Sequence, residues 1–195
     1  TVFEDIDPES EVEPQIYSEA AGYLLDKGAL DDVRDMLIRS YNQDRLLPET
    51  HYHLARYSGR TRATLEEFDA LRNARELFER AEPLDRRNRH MQIDTLIRLG
   101  EYYQNQEEWL TAQTTLDEAR RRYEEAKQAR FLAPEPELAR SYARLGDIEY
   151  YVAGNLERAL SLYDRAAEDG FASDPLAYKR GFIHYRQGRY DQAAD

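Results

Sequence analysis

Five positions along the 195-residue chain share one arrangement of side-chain sizes. Val33, Ala74, Ala112, Ala159 and Ala193 are small or β-branched, and each follows a large apolar residue by three positions: Leu30, Leu71, Trp109, Leu156 and Tyr190. Four positions later stand Leu37, Phe78, Leu116 and Tyr163, and seven positions later Ser40, Ala81, Ala119 and Ala166. These offsets fall on one stripe of an α-helix, with small residues where a neighbouring helix must come close and large ones filling the space beside them. Gly28, Gly154 and Gly188 stand five residues before three of these origins, where a tight turn between two helices needs a residue without Cβ. No alternation of apolar and polar residues is long enough for a strand. The spacing therefore predicts an all-helical chain built from a repeated helical pair.

Composition narrows the classes of partner. The formal charge is −12, which disfavours nucleic acid, because phosphate binding needs a basic face to release counterions. No apolar run approaches the roughly 20 residues that span a bilayer. The chain has no cysteine, which excludes disulfides, thiolate metal sites and thiol nucleophiles, and does not distinguish cytoplasm from periplasm. Residues 1–13 carry Glu4, Asp5, Asp7, Glu9, Glu11 and Glu13 with no basic residue, so they are expected to form a disordered acidic linker. The chain begins at Thr1 and ends at Asp195 inside a patterned segment, which is the expectation for a fragment truncated at its C-terminal end.

A second mark lies upstream of each striped helix. Leu99 and Gly100 are followed by Tyr103, Leu145 and Gly146 by Tyr150, and Gly181 by Tyr185. The most complete copy runs from Ile93 to about Glu124, with Leu96, Leu99, Gly100, Tyr103, Trp109, Ala112, Leu116 and Ala119 in place. This combination resembles the tetratricopeptide repeat, a helix–turn–helix unit of about 34 residues. The resemblance covers residues 14–195 as four complete units and the start of a fifth, and implies a right-handed superhelix of antiparallel helical hairpins. Origins are spaced by 41, 38, 47 and 34 residues, so three intervals carry inserts. One insert is expected to lengthen the helix before Ala74, with Thr64 and Glu67 as a capping box. Another is expected to extend the helix past Arg120-Arg121-Arg122 toward Arg130, up to Pro134 and Pro136. Glu149, His184 and Ser58 replace family aromatics, and the unequal spacing is also compatible with a related hairpin solenoid of different pitch.

What the resemblance implies about function is a surface. First helices of such units line a concave groove, which here would present Tyr52, Arg56, Arg60, Arg98, Glu101, Arg140, Arg144, Asp147, Tyr178, Phe182, Tyr185 and Arg186. Arg and Tyr dominate binding hot spots, because one offers planar bidentate hydrogen bonding and the other a rigid amphipathic ring. The paired Lys and Asn by which related domains clamp a chaperone's C-terminal carboxylate are missing. The implied partner is another protein or a longer peptide, acidic or amphipathic, and the implied role is a non-enzymatic scaffold or adaptor. An alternative is a structural part of a large membrane-associated bacterial complex, for example a flagellar-motor collar. That reading has the chain tethered through a segment upstream of Thr1 and self-associating through its C-terminal end. The compartment is then cytoplasm or periplasm.

Chemistry finds little support. There is no phosphate loop, nucleophile elbow or His-Glu metal motif, and no cofactor is expected. His51 and His53 point roughly 200° apart on a helix, which suits no single metal and predicts one packed and one exposed ring. His90 is expected in solvent and His184 in the core or groove. The run Arg120-Arg121-Arg122, set among Glu118, Glu124 and Glu125, predicts an exposed helix face laced by ion pairs. Tyr103, Tyr163 and Tyr190 fall on family core positions, while Tyr52, Tyr57 and Tyr178 fall off them and are expected to make contacts.

Overall fold

The computed structural model describes residues 12–81 and 83–193, so the linker expected at 1–13 lies, apart from Val12 and Glu13, outside the described residues. Among the described residues all regular structure is helical, in five successive hairpins. They pair α1 (Pro14–Lys27) with α2 (Leu30–Gln43), and α3 (Pro48–Arg60) with α4 (Thr64–Arg80). Next come α5 (Arg86–Asn105) with α6 (Trp109–Gln128), and α7 (Pro136–Ile148) with α8 (Leu156–Glu168). Last come α9 (Asp174–Arg186) and the short α10 (Tyr190–Ala193). No helix among the described residues is long and apolar enough to cross a membrane.

The size pattern is the packing pattern. Val33, Ala74, Ala112 and Ala159 are fully buried, and so are the large residues four positions on, Leu37, Phe78, Leu116 and Tyr163. The glycines of the Leu-Gly pairs explain the fit: a Cβ on Gly100 would lie 2.4 Å from Leu116, and one on Gly146 would lie 2.5 Å from Tyr163. The first helix thus gives up its side chain where the second helix presents a large one. Three positions before the origins the pattern is looser: Leu71 is buried, Leu30 and Leu156 are half-buried, and Trp109 is 39% and Tyr190 65% exposed.

Each hairpin turns through a left-handed residue two positions before its second helix: Gly28, Arg62, Glu107, Gly154 and Gly188, with φ between 60° and 77°. Three are the glycines read from the sequence. Arg62 and Glu107 accept a cost of roughly 1–2 kcal/mol for that conformation. Because Arg62 sits twelve residues before Ala74 rather than five, α4 carries two additional turns at its start, as the interval predicts. The expected capping box does not form. Thr64 is the first helical residue behind Ala63, and no side chain closes the end. Side-chain caps appear instead at Asn155, whose Oδ1 accepts from the Arg158 amide at 3.1 Å, and at Ser173, whose Oγ accepts from the Leu176 amide at 3.3 Å.

The long interval before Ala159 resolves into two causes. Helix α6 runs 20 residues to Gln128, and Pro136 opens α7. In addition, thirteen positions separate Gly146 from Ala159, where twelve separate Gly100 from Ala112 and Gly181 from Ala193. That extra residue is absorbed by a π-helical turn at Glu149–Ala153, closed by Asn155 N–H donating to the Glu149 carbonyl at 2.8 Å. Glu149, standing where the family has an aromatic, is buried and ion-paired with Arg158 at 3.0 Å.

The chain divides into two compact units, residues 1–95 and 96–195. In the first, Ala21, Leu25, Val33 and Leu37 form one apolar cluster, and Tyr52, Ala74, Phe78, Leu84 and Met91 form another. Helix α3 packs against α1, α2 and α4, so both of its histidines are buried, not one. The His51 ring hydrogen-bonds the Arg45 carbonyl at 2.8 Å and meets Tyr41 edge-on, while His53 lies over Gly22 of α1, where a Cβ would come within 2.6 Å of its ring. A helix enclosed on two sides buries opposed faces, which the 200° argument by itself does not foresee.

Burial, with Arg56 and Arg87 nearby and only Asp26 opposing, lowers the His53 pKa to about 3. Its unfolded value of about 6.5 means that the unfolded state binds the extra proton first as pH falls. Stability is therefore unaffected by His53 above pH 6.5 and declines by roughly 1.4 kcal/mol per pH unit below it, down toward pH 3. Urea melts at pH 6.5 and 5.5 should show wild type losing about 1 kcal/mol more than His53→Leu. Parallel losses would contradict a buried neutral ring.

Candidate functional site

The residues expected on the first-helix face divide by unit. In the first unit they brace neighbouring helices. Tyr52 is 5% exposed and donates its hydroxyl to Asp94 Oδ2 at 3.0 Å, so it belongs to the core and presents almost nothing to a ligand. Arg56 stacks over the Tyr52 ring and reaches back to Asp26 of α1 at 2.5 Å. Arg60 donates to the Leu25 carbonyl near the end of α1, one of the acceptors a helix terminus leaves open. Tyr57 is half-buried against the Leu25 cluster.

In the second unit the same face carries a continuous polar row. Glu101 of α5 accepts from Arg144 Nε at 2.8 Å and lies 3.2 Å from Arg140 Nε, both on α7. Arg144 also reaches Asp147 at 3.8 Å, one turn on. Asp147 accepts from the Tyr163 hydroxyl of α8 at 2.8 Å and from Lys179 Nζ of α9 at 2.6 Å. Gln104 donates to the Arg144 carbonyl at 3.0 Å. Three cations and two carboxylates thus interleave across α5, α7 and α9, each half-buried and ion-paired, so the row is pre-organised and slightly basic. Arg98 is half-buried on α5. Burial and the Asp147 hydrogen bond raise the Tyr163 phenol above its usual range, so it acts as a fixed donor.

The row ends in aromatic rings. Tyr178 and Phe182 of α9 stack at 6.4 Å, Tyr150 of the π turn meets Phe182 edge-on at 6.4 Å, and Tyr151 meets Tyr150 at 4.7 Å. Arg186 lies over Phe182 and Lys179 over Tyr151. Tyr185 is 61% exposed and pairs with Tyr190 of α10 instead. Tyr150, Tyr151 and Lys179 were not among the groove residues expected from the sequence, Tyr150 being read there only as the aromatic that follows Leu145 and Gly146. The signal available for the two tyrosines was the extra residue after Gly146, which turns them toward α9.

On α6 the basic run forms the ion pairs its spacing predicts, but only Arg121 is exposed, while Arg120 and Arg122 are half-buried. Arg120 pairs with Asp117 and Glu124, Arg121 with Glu125, and Arg122 with Glu118, all within one turn. A polar notch of about 250 Å³ between α6, α7 and α8 holds Arg120, Arg158 and Arg165, balanced by Asp117, Glu124 and Glu149.

Successive antiparallel hairpins, a small residue at each helix crossing and a polar first-helix face define a helical repeat protein with the tetratricopeptide fold. No family model matches the chain, and no curated protein matches its sequence. Solved structures with the same fold include the Pseudomonas aeruginosa pilF protein, at TM-score 0.67 and 15% identity, covering 93% of this chain and 72% of that one. BtubC (BKLC) from P. vanneervenii matches at TM-score 0.67 and 13% identity, covering 91% and 74%. YrrB, described as a TPR protein with an unusual peptide-binding site, matches at TM-score 0.57 and 17% identity, covering 91% and 79%. At these identities the likeness is one of fold.

Proposed function

We propose that the chain is a non-enzymatic scaffold or adaptor that binds a segment of another protein along the first-helix face of its second unit. The observation that carries this reading is the row from Glu101 through Arg140, Arg144 and Asp147 to Lys179, ending in exposed aromatic rings. Polar groups held in place by each other lose little freedom when a partner docks, so binding them costs less ordering entropy. Arginines there can exchange an internal carboxylate for one on the partner, which favours an acidic or amphipathic segment and makes the on-rate fall with salt. The peptide-binding site named for YrrB supports such a use of the fold.

The test is the double replacement of Arg140 and Arg144 by Ala. Affinity for a partner captured from native lysate should fall at least tenfold, with far-ultraviolet circular dichroism and melting measured alongside as the control for folding. Unchanged affinity removes this face from the reading. Light scattering that shows assemblies rather than a monomer would favour the structural alternative.

A further inference from the structure

The aromatic end of the row differs in charge from the rest of the molecule. Residues 174–193 hold Lys179, Arg180, Arg186 and Arg189 against Asp174 and Asp191, within a chain of net charge −12. Lys179 and Arg180 are committed to Asp147 and Asp164. Arg186, exposed and with no carboxylate at ion-pair distance among the described residues, only covers one face of Phe182 at 5.9 Å. In the same ring cluster Tyr178, stacked on Phe182, is 71% exposed, and Tyr151, which joins it through Tyr150, is 67% exposed. Cations already occupy ring faces here, which disfavours a cationic ligand and leaves a surface suited to an apolar side chain with a carboxylate close by.

The chain itself contains such a segment. Residues 1–13 hold six carboxylates and no base, and Phe3 is followed directly by Glu4 and Asp5, with Ile6 and Asp7 next. In any extended peptide each residue advances about 3.3 Å, so a carboxylate one or two residues from a seated Phe3 would come within reach of Arg186, which lies 5.9 Å from the Phe182 ring on which Tyr178 stacks. We propose that Tyr151, Tyr178 and Arg186 form an anchor subsite for the acidic leader of a second copy of this chain, Phe3 seating on the rings and Glu4 or Asp5 pairing with Arg186. This rests on the reading of the first-helix face as a protein-binding surface and narrows it to one occupant. The contact is heterologous, leader to C-terminal hairpin, and so joins copies in series.

The probe is a fluorescein-labelled peptide of residues 1–13, titrated by anisotropy with the full chain carrying Phe3→Ser, which removes the competing leader. Tyr178→Ala and Arg186→Glu, each on that background, should weaken binding at least tenfold with unchanged circular dichroism, as both side chains are exposed. Arg186→Glu should regain affinity for a peptide with Glu4→Lys and Asp5→Lys. The full wild-type chain should associate with rising concentration in sedimentation, and Phe3→Ser should abolish that association. Absence of peptide binding, binding indifferent to Tyr178 and Arg186, or a wild-type chain monomeric at every concentration overturns the assignment. If a lysate partner meanwhile depends on Arg140 and Arg144, the adaptor reading stands without it.

Discussion

Ala112→Glu is expected to unfold the hairpin of α5 and α6 at a cost of several kcal/mol, because it forces an unpaired carboxylate into a fully buried helix crossing. Ala112 lies on the same stripe as Leu116, which fills the space left by Gly100, so no movement of the helix exposes the new charge without separating that pair. The neighbouring Thr111 is exposed, and Thr111→Glu should change stability by no more than about 0.5 kcal/mol. Urea melts followed by far-ultraviolet circular dichroism separate the two. An Ala112→Glu chain with wild-type melting would show that the crossing is not where the size pattern places it.

Tyr163→Ala should cost about 3–5 kcal/mol, the range for deleting a buried aromatic ring. The ring is fully buried and lies where a Cβ on Gly146 would stand 2.5 Å away, so the deletion leaves a cavity between α7 and α8. Tyr163→Phe keeps the ring and loses only the bond to Asp147, whose carboxylate retains Lys179, so about 1–2 kcal/mol is expected. The two variants together weigh packing against the polar row. Equal losses from both would mean that the hydroxyl, and not the ring, holds the fourth hairpin.

Much of the architecture is readable without coordinates because it is set by local periodicity. The five origins, the extended α4 and α6, and the glycine turns at Gly28, Gly154 and Gly188 follow from side-chain size and backbone freedom along a single helix. Arg62 and Glu107 hide two equivalent turns, since they adopt the left-handed conformation without the residue that advertises it. The π turn was legible only as a count, thirteen positions where other units have twelve.

The candidate face was less legible. Tyr52 reads as a contact residue and is a core residue, because α3 has neighbours on both sides. Arg56 and Arg60 read as free binding groups and instead brace α1. Lys179, absent from the sequence-derived set, proves central, since it meets Asp147 from 32 positions away.

Helix identity, hairpin order and the buried stripe are therefore properties of the amino-acid sequence alone, because each depends on residues three to seven positions apart. Which polar side chains brace a neighbouring helix and which remain available is decided only in three dimensions. Glu101 and Arg144 lie 43 positions apart, and the angle between hairpins brings them to 2.8 Å.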